Sequence, residues 1–130
     1  DAALGKKLVI YGERYWRPYV HVRDVGRAIM LALESPVTAR RGQVFNVGHT
    51  DENYQKLTLS RLLQERVPGL QVEFVKAGPD PRSYRVGFEK IARSLGFEPR
   101  FRVPGGLDEV IALVRAGVIG NVNDPRWGNT

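Results

Sequence analysis

Trp16-Arg-Pro-Tyr-Val-His-Val-Arg-Asp-Val-Gly-Arg-Ala-Ile-Met-Leu-Ala-Leu-Glu-Ser-Pro36 is the stretch on which the reading of this chain turns. Its first part alternates through Tyr19, Val20, His21 and Val22, the period of a strand. A helix follows without a break. Asp24 falls in its first turn, where a carboxylate suits the positive end of the helix dipole. Val25, Ala28, Ile29 and Ala32 recur at helical spacing. Met30, Leu31 and Leu33 make the other faces apolar as well, which predicts a helix buried on most sides. Pro36 stops it. Arg17 stands at the mouth of the strand beside two aromatic residues.

Working outward, Leu8-Val9-Ile10 within Lys7–Tyr11 predicts a short apolar strand, and Gly12 turns the chain towards Trp16. Val37 to Gly42 is polar and reads as a loop. Gln43 to Val47 reads as a buried strand that ends at Gly48. The polar loop from His49 to Lys56 carries Asn53. Thr58 is the expected N-cap of a helix whose face is Leu59, Leu62, Leu63 and Val67, ended by Pro68-Gly69. Val72, Phe74 and Val75 predict a further strand, and Gly78-Pro79-Asp80-Pro81-Arg82 a rigid loop. Phe88, Ile91, Ala92 and Leu95 share a helical face closed by Gly96. Pro104 suits a first helical position, with Asp108 and Glu109 expected in that helix's first turn and Leu107, Val110, Ile111 and Val114 as its stripe. The order is strand, strand, helix, strand, helix, strand, helix, helix. It predicts an α/β or α+β fold, a small sheet of short strands packed with about four helices. Residues 1–118 form one expected domain and 119–130 a polar tail.

With 130 residues, 42% of them hydrophobic, the chain is sized for a single modest core. No apolar run reaches the roughly 18 residues that a membrane helix needs, and the first residues lack the order of a secretion signal. The chain has no cysteine, which excludes disulfides and thiolate metal sites and fits a cytoplasmic setting. A net charge of +6 points to anionic partners. The basic residues are dispersed; Arg82, Arg85, Lys90, Arg93, Arg100 and Arg102 are the densest group.

Few residues carry recognisable chemistry. There is no Gly-x-Ser-x-Gly and no metal-ligand spacing, since only His21 and His49 are present. The ordinary reading of His21 is a hydrogen-bonded structural histidine. No Gly-x-Gly-x-x-Gly follows a strand. None of Tyr11, Tyr15, Tyr19, Tyr54 and Tyr84 has a lysine four residues on. The expectation is therefore no catalytic residue, no metal and no cofactor held by this chain alone. Arginine forks suit a diphosphate, and prolines beside Arg17 and Arg82 fix where those side chains begin. The plainer readings are surface ion pairs for the two arginines and a turn residue for Asn53.

Arg17-Pro-Tyr-Val-His-Val-Arg-Asp-Val25 resembles the Arg-x-aromatic-apolar-His-Val-x-Asp-apolar pattern of the extended short-chain dehydrogenases/reductases. These are the NAD- or NADP-dependent nucleotide-sugar epimerases and dehydratases. Val44-Phe45-Asn46-Val47-Gly48 and the run Asp80 to Val86, followed by Lys90-Ile91 and Leu95-Gly96-Phe97, are similar to later segments of that family. The likeness spans about Leu8 to Gly117. It implies the C-terminal, substrate-binding portion of a Rossmann-type fold without the dinucleotide-binding half and without the Tyr-x-x-x-Lys pair. It also implies roles. Arg17 would hold a phosphate of a nucleotide-diphosphate sugar, Asn53 would contact the substrate, and Arg82, with Arg85 as its rival, would close on the diphosphate. Gly87 departs from the family, where Asp or Ser there would cap the next helix. The implied partners are a nucleotide sugar and either a second copy or a polypeptide carrying the Rossmann half. The competing functions are a stand-alone interaction or oligomerisation module and a small basic nucleic-acid-binding domain, the latter without any arginine-rich run to support it.

Overall fold

In the computed structural model, which describes residues 1–76, 82–118 and 124, four short strands form two separate two-stranded sheets. Strand β1 (Leu8–Tyr11) pairs in parallel with β4 (Val72–Val75), placing Leu8 beside Val72 and Ile10 beside Phe74. Parallel strands need a long crossover, and here residues 12–71 supply it. Within that crossover β2 (Trp16–Pro18) pairs antiparallel with β3 (Asn53–Gln55). The helices are α1 (Val22–Glu34), α2 (Val37–Arg40), α3 (Lys56–Arg66), α4 (Glu89–Leu95) and α5 (Val103–Arg115). This is the expected mixed α/β arrangement.

Two small apolar cores hold these elements. Val67, Leu70 and Ile111 are buried together, with Leu8, Leu63 and Val72 packed against them, so α3 and α5 cover one side of the β1–β4 pair. Ala28, Ile91 and Phe97 form the second, with Leu31, Phe45, Val47 and Leu95 around it, and this core joins α1 to α4. Gly96, at φ 68°, closes α4 in the left-handed conformation that glycine adopts without strain.

The strand expected over Tyr19–Val22 lies earlier, at Trp16–Pro18. Tyr19 still donates its N–H to the Glu52 carbonyl at 3.0 Å, but the chain then turns. His21 is the N-cap of α1, its Nδ1 accepting from the Arg23 N–H at 3.2 Å. Nor is α1 buried on most sides. Only Asp24 and Ala28 are fully buried, while Val22, Ile29, Met30 and Leu33 are exposed. Gln43–Val47 forms no ladder. Phe45 and Val47 pack inward, and Val44 is 80% exposed.

Other departures are smaller. The loop after Pro36 contains the single turn of α2. Helix α3 starts at Lys56, two residues before Thr58, with Gln55 at its N-cap. Helix α4 starts at Glu89, so Phe88 and not Gly87 occupies its N-cap. Helix α5 starts at Val103, which moves Asp108 and Glu109 out of its first turn. They pair instead with Arg66 (2.7 Å) and with His21 (2.9 Å) and Arg23 (2.7 Å). The Gly78–Pro81 part of the proline loop, and the tail 119–130 apart from Asp124, lie outside the described residues.

Asp24 joins α1 to the segment that leads into α5. Its carboxylate, 0% exposed, accepts from the Arg100 N–H at 3.0 and 3.1 Å, from the Phe101 N–H at 2.9 Å and from Arg27 Nη1 at 2.6 Å. Burial by itself would raise this carboxyl. The Phe101 and Arg100 amides and the Arg27 guanidinium together outweigh burial and hold it below the ordinary carboxylate value. A carboxylate depressed in the folded state stabilises above its unfolded value, near pH 3.9, and loses that contribution as pH falls through the folded value. Unfolding midpoints measured against pH should therefore drop on acidification below about pH 4. Asp24→Asn should cost about 1.5–3 kcal/mol at neutral pH and show a shallower acid dependence.

Gly48, at φ 157°, gives a second check. A Cβ there would stand 2.7 Å from the Phe88 ring, which is itself buried. Gly48→Ala should lower stability by about 1–3 kcal/mol in chemical denaturation.

Candidate functional site

The β2–β3 ladder sets which side chains share a face. Its register is Trp16 to Gln55, Arg17 to Tyr54 and Pro18 to Asn53. Residues directly opposite across a ladder point the same way. Arg17 and Tyr54 therefore occupy one face, and Trp16, Pro18, Asn53 and Gln55 the other.

The segment 82–88 has no regular structure of its own and runs beside β2. The Trp16 N–H donates to Ser83 Oγ at 3.2 Å, and the Tyr84 N–H to the Trp16 carbonyl at 3.4 Å. Arg17 Nη1 donates to the carbonyls of Trp16 at 2.7 Å and Arg82 at 2.5 Å. The Arg17 guanidinium carbon also lies 5.8 Å from the centroid of the Tyr84 ring. The structure thus brings Arg17 against the backbone of Arg82, its expected partner sixty-five residues away in sequence. Arg85 goes elsewhere, its guanidinium carbon 5.0 Å from the Trp16 ring centroid.

Asn53 faces the same segment. Its Nδ2 donates to the Thr50 carbonyl at 2.7 Å and to the Val86 carbonyl at 2.9 Å, while its Oδ1 accepts from the Val86 N–H at 2.9 Å. Thr50 Oγ1 donates to Glu89 Oε1 at 2.7 Å and accepts from the Phe88 N–H at 3.3 Å. That hydroxyl is the first cause holding the exposed Glu89 carboxyl below its usual value.

On the other side of the β2–α1 junction is a cavity of about 290 Å³ whose lining includes Tyr19, His21, Glu52, Phe101 and Leu107. The Glu52 carboxylate is nearly buried; its Oε2 accepts from the Val103 N–H at 2.7 Å and so caps α5. Burial raises the Tyr19 phenol, and burial followed by the Glu52 charge raises that of Tyr54. Both shifts run against the direction a general base requires. His21 Nδ1 accepts a backbone N–H, so Nε2 carries the proton and donates to Glu109 Oε2 at 2.9 Å. Its ring stacks on Phe101 at 4.6 Å between centroids. His49 acts similarly, Nδ1 accepting the Asp51 N–H at 3.1 Å. Among the described residues no group of three or more His, Cys, Asp or Glu is placed to hold a metal ion, and no helix is long and apolar enough to cross a membrane.

Sequence reasoning did not find that Tyr54 shares the face of Arg17 or that the Tyr84 ring lies against its guanidinium. The signal available was aromatic residues near each arginine; the β2–β3 pairing that orders them lies beyond local periodicity.

An α/β segment whose paired arginine and aromatic side chains stand on a short ribbon between two small cores is part of a Rossmann-type epimerase/dehydratase fold. The chain is similar to the NAD dependent epimerase/dehydratase family, whose model matches its residues 1–48. It is 34% identical over 117 residues to a dTDP-glucose 4,6-dehydratase of an Actinoplanes species, a match covering 86% of this chain and 35% of that relative. It is 30% identical over 121 residues to dTDP-glucose 4,6-dehydratase 1 of Escherichia coli, covering 85% of this chain and 33% of the relative. The chain thus spans about a third of the length of the curated relatives it matches. Among solved structures, MoeE5 in complex with UDP-glucuronic acid and NAD is similar at a TM-score of 0.72 and 28% identity, over 88% of this chain and 38% of that one. The UDP-glucuronic acid 4-epimerase of Bacillus cereus, in complex with UDP-glucuronic acid and NAD, shares the fold at a TM-score of 0.74 and 22% identity, over 87% of this chain and 36% of that one.

The described residues do not fit the dinucleotide that these neighbours hold. A pyrophosphate of that kind sits on a glycine-rich turn between a strand and a helix. Here β1 leads through Gly12-Glu13-Arg14-Tyr15 to another strand, and β3 passes directly into α3 at Gln55-Lys56.

The two nitrogens of His21 give a test of its role. His21→Ala should destabilise the fold by about 1–2 kcal/mol through the lost cap. His21→Asn should recover most of that loss, since asparagine also caps. Urea denaturation of the two variants checks the difference.

Proposed function

We propose that this chain is the substrate-holding part of an NAD- or NADP-dependent nucleotide-sugar epimerase/dehydratase and grips the diphosphate of a nucleotide sugar through Arg17 and Arg82. The observation that carries the reading is the seating of Arg17. Two backbone carbonyls and the Tyr84 ring fix its guanidinium, and one of those carbonyls is that of Arg82. A guanidinium held in place loses less side-chain freedom when it binds a phosphate. Arginines from two segments far apart in sequence approach one anion from two sides, where charge-assisted bonds are strongest. Asn53 belongs to the same site. Similarity to relatives named as dTDP-glucose 4,6-dehydratases, and to MoeE5 with UDP-glucuronic acid, supports a nucleotide-sugar ligand.

In this reading residues 1–118 are the substrate domain, the setting is cytoplasmic, and redox chemistry comes from outside this chain. The exposed stripe Val22, Ile29, Met30 and Leu33 on α1 supports a covering partner, either a Rossmann half or a second copy. Alone, the chain holds the ligand and turns nothing over.

The test is titration of the chain with UDP and dTDP, with a short DNA duplex as the competing polyanion. Arg17→Ala and Arg82→Ala should each weaken nucleotide binding about tenfold to a hundredfold, the worth of one or two charge-assisted hydrogen bonds. The double variant should be less than additive, because the two side chains act on one group. Arg93→Ala, on the exposed face of α4, should change affinity by less than about twofold. Equal behaviour of all three variants, or tighter binding to the duplex, would overturn the assignment.

A further inference from the structure

We propose that Asn53 is a positioning residue. It sets where Arg82 and the segment after it stand, without touching the ligand. The inference rests on the diphosphate reading above and assigns one of its residues a different task from direct contact.

Three observations lead to it. First, the β2–β3 register puts Asn53 on the face shared with Pro18, opposite the face of Arg17 and Tyr54. Second, a phosphate requires donors, and an asparagine amide has only two N–H donors. Both are committed, one to the Thr50 carbonyl at 2.7 Å and one to the Val86 carbonyl at 2.9 Å. Third, Asn53 meets both the N–H and the C=O of Val86, each at 2.9 Å. This is the pairing that a neighbouring strand would make. A side chain thereby replaces a missing ladder for a segment that has no regular structure.

The consequence follows from how that segment is fastened. Besides Asn53, its backbone is held at the Arg82 carbonyl by Arg17, at Tyr84 by the Trp16 carbonyl at 3.4 Å, and at Phe88 by Thr50 Oγ1 at 3.3 Å. The Asn53–Val86 pair is shorter than the last two and is the one bond set that fixes both backbone groups of a residue. Removing it leaves the stretch free over the three residues between Tyr84 and Phe88, Arg85 to Gly87. Binding would then have to order that stretch at the expense of affinity.

The experiment compares Asn53→Ala, Asn53→Asp, Arg82→Ala and the Asn53→Ala/Arg82→Ala double variant in the full chain, titrated with UDP and dTDP. Asn53→Asp keeps an acceptor for the Val86 N–H and loses both donors, so it reports even where the alanine variant folds poorly. Both Asn53 variants should bind roughly tenfold more weakly, the worth of one or two hydrogen bonds that order the segment. Amide exchange at Val86 and Phe88 should accelerate in both. The double variant should bind no more weakly than Arg82→Ala, because Asn53 acts through that segment. A double variant weakened by the full product of the two single effects indicates direct contact and overturns the inference. So does wild-type affinity in the Asn53 variants, or unchanged exchange at Val86. A wild-type chain that binds neither nucleotide overturns the diphosphate reading itself and this inference with it.

Discussion

A single buried carboxylate ties the two halves of the described fold together. Asp24, in the first turn of α1, accepts from the Arg100 and Phe101 amides and from Arg27. Without that acceptor the amides of Arg100 and Phe101, in the loop between α4 and α5, would lose their shared partner. Glu52 repeats the device two residues further along, at the Val103 N–H. The two acids between them hold the start of α5 against α1 and β3. Since α5 also contributes Ile111 to the core beneath the β1–β4 pair, the polar contacts connect one apolar core to the other.

The candidate site depends on that framework indirectly. The β2–β3 ribbon is only three residues long on each side, too short to be stable alone. It stands because its ends are fixed: β2 runs into α1 through the His21 cap, and β3 runs straight into α3. Arg17 projects from the middle of this ribbon and inherits its position from both helices. The segment 82–88 then borrows its order from the ribbon through the side chains of Arg17, Asn53 and Thr50. A loop organised by side chains can carry exposed arginines without forming an open sheet edge of its own.

The two histidines illustrate how a residue type suggestive of chemistry is used for structure. Each places Nδ1 two residues ahead on a backbone N–H, His21 at the start of α1 and His49 at the short helical turn Thr50–Glu52. The arrangement fixes the tautomer of His21 and directs its remaining proton to Glu109. The acids that surround it are likewise committed, Asp24 and Glu52 to amides and Glu109 to His21 and Arg23.

Local pattern was sufficient for the elements whose stabilisation is local. Strands β1 and β4 are apolar runs bounded by turn residues, Gly96 ends α4, and the faces of α3 and, except for the exposed Val110, of α5 follow the helical period. The resemblance carried by Arg17 to Val25 pointed to a family and named Arg17, and similar later segments named Asn53 and Arg82, before any geometry was known. What the sequence alone could not determine were features that depend on distant partners. The run Gln43–Val47 has the composition of a strand, yet a strand exists only where another supplies hydrogen bonds, and no described strand does so. The alternation over Tyr19–Val22 gave way to a cap because the His21 side chain captures an amide that a ladder would have used. Helix α1 carries apolar residues well beyond one stripe, but burial is decided by what packs against it. Only tertiary structure separated Arg82, whose carbonyl anchors Arg17, from Arg85, drawn off to Trp16. The reason is the contacts that Arg17 and Trp16 of β2 make with a segment more than sixty residues later, a constraint that no local window contains.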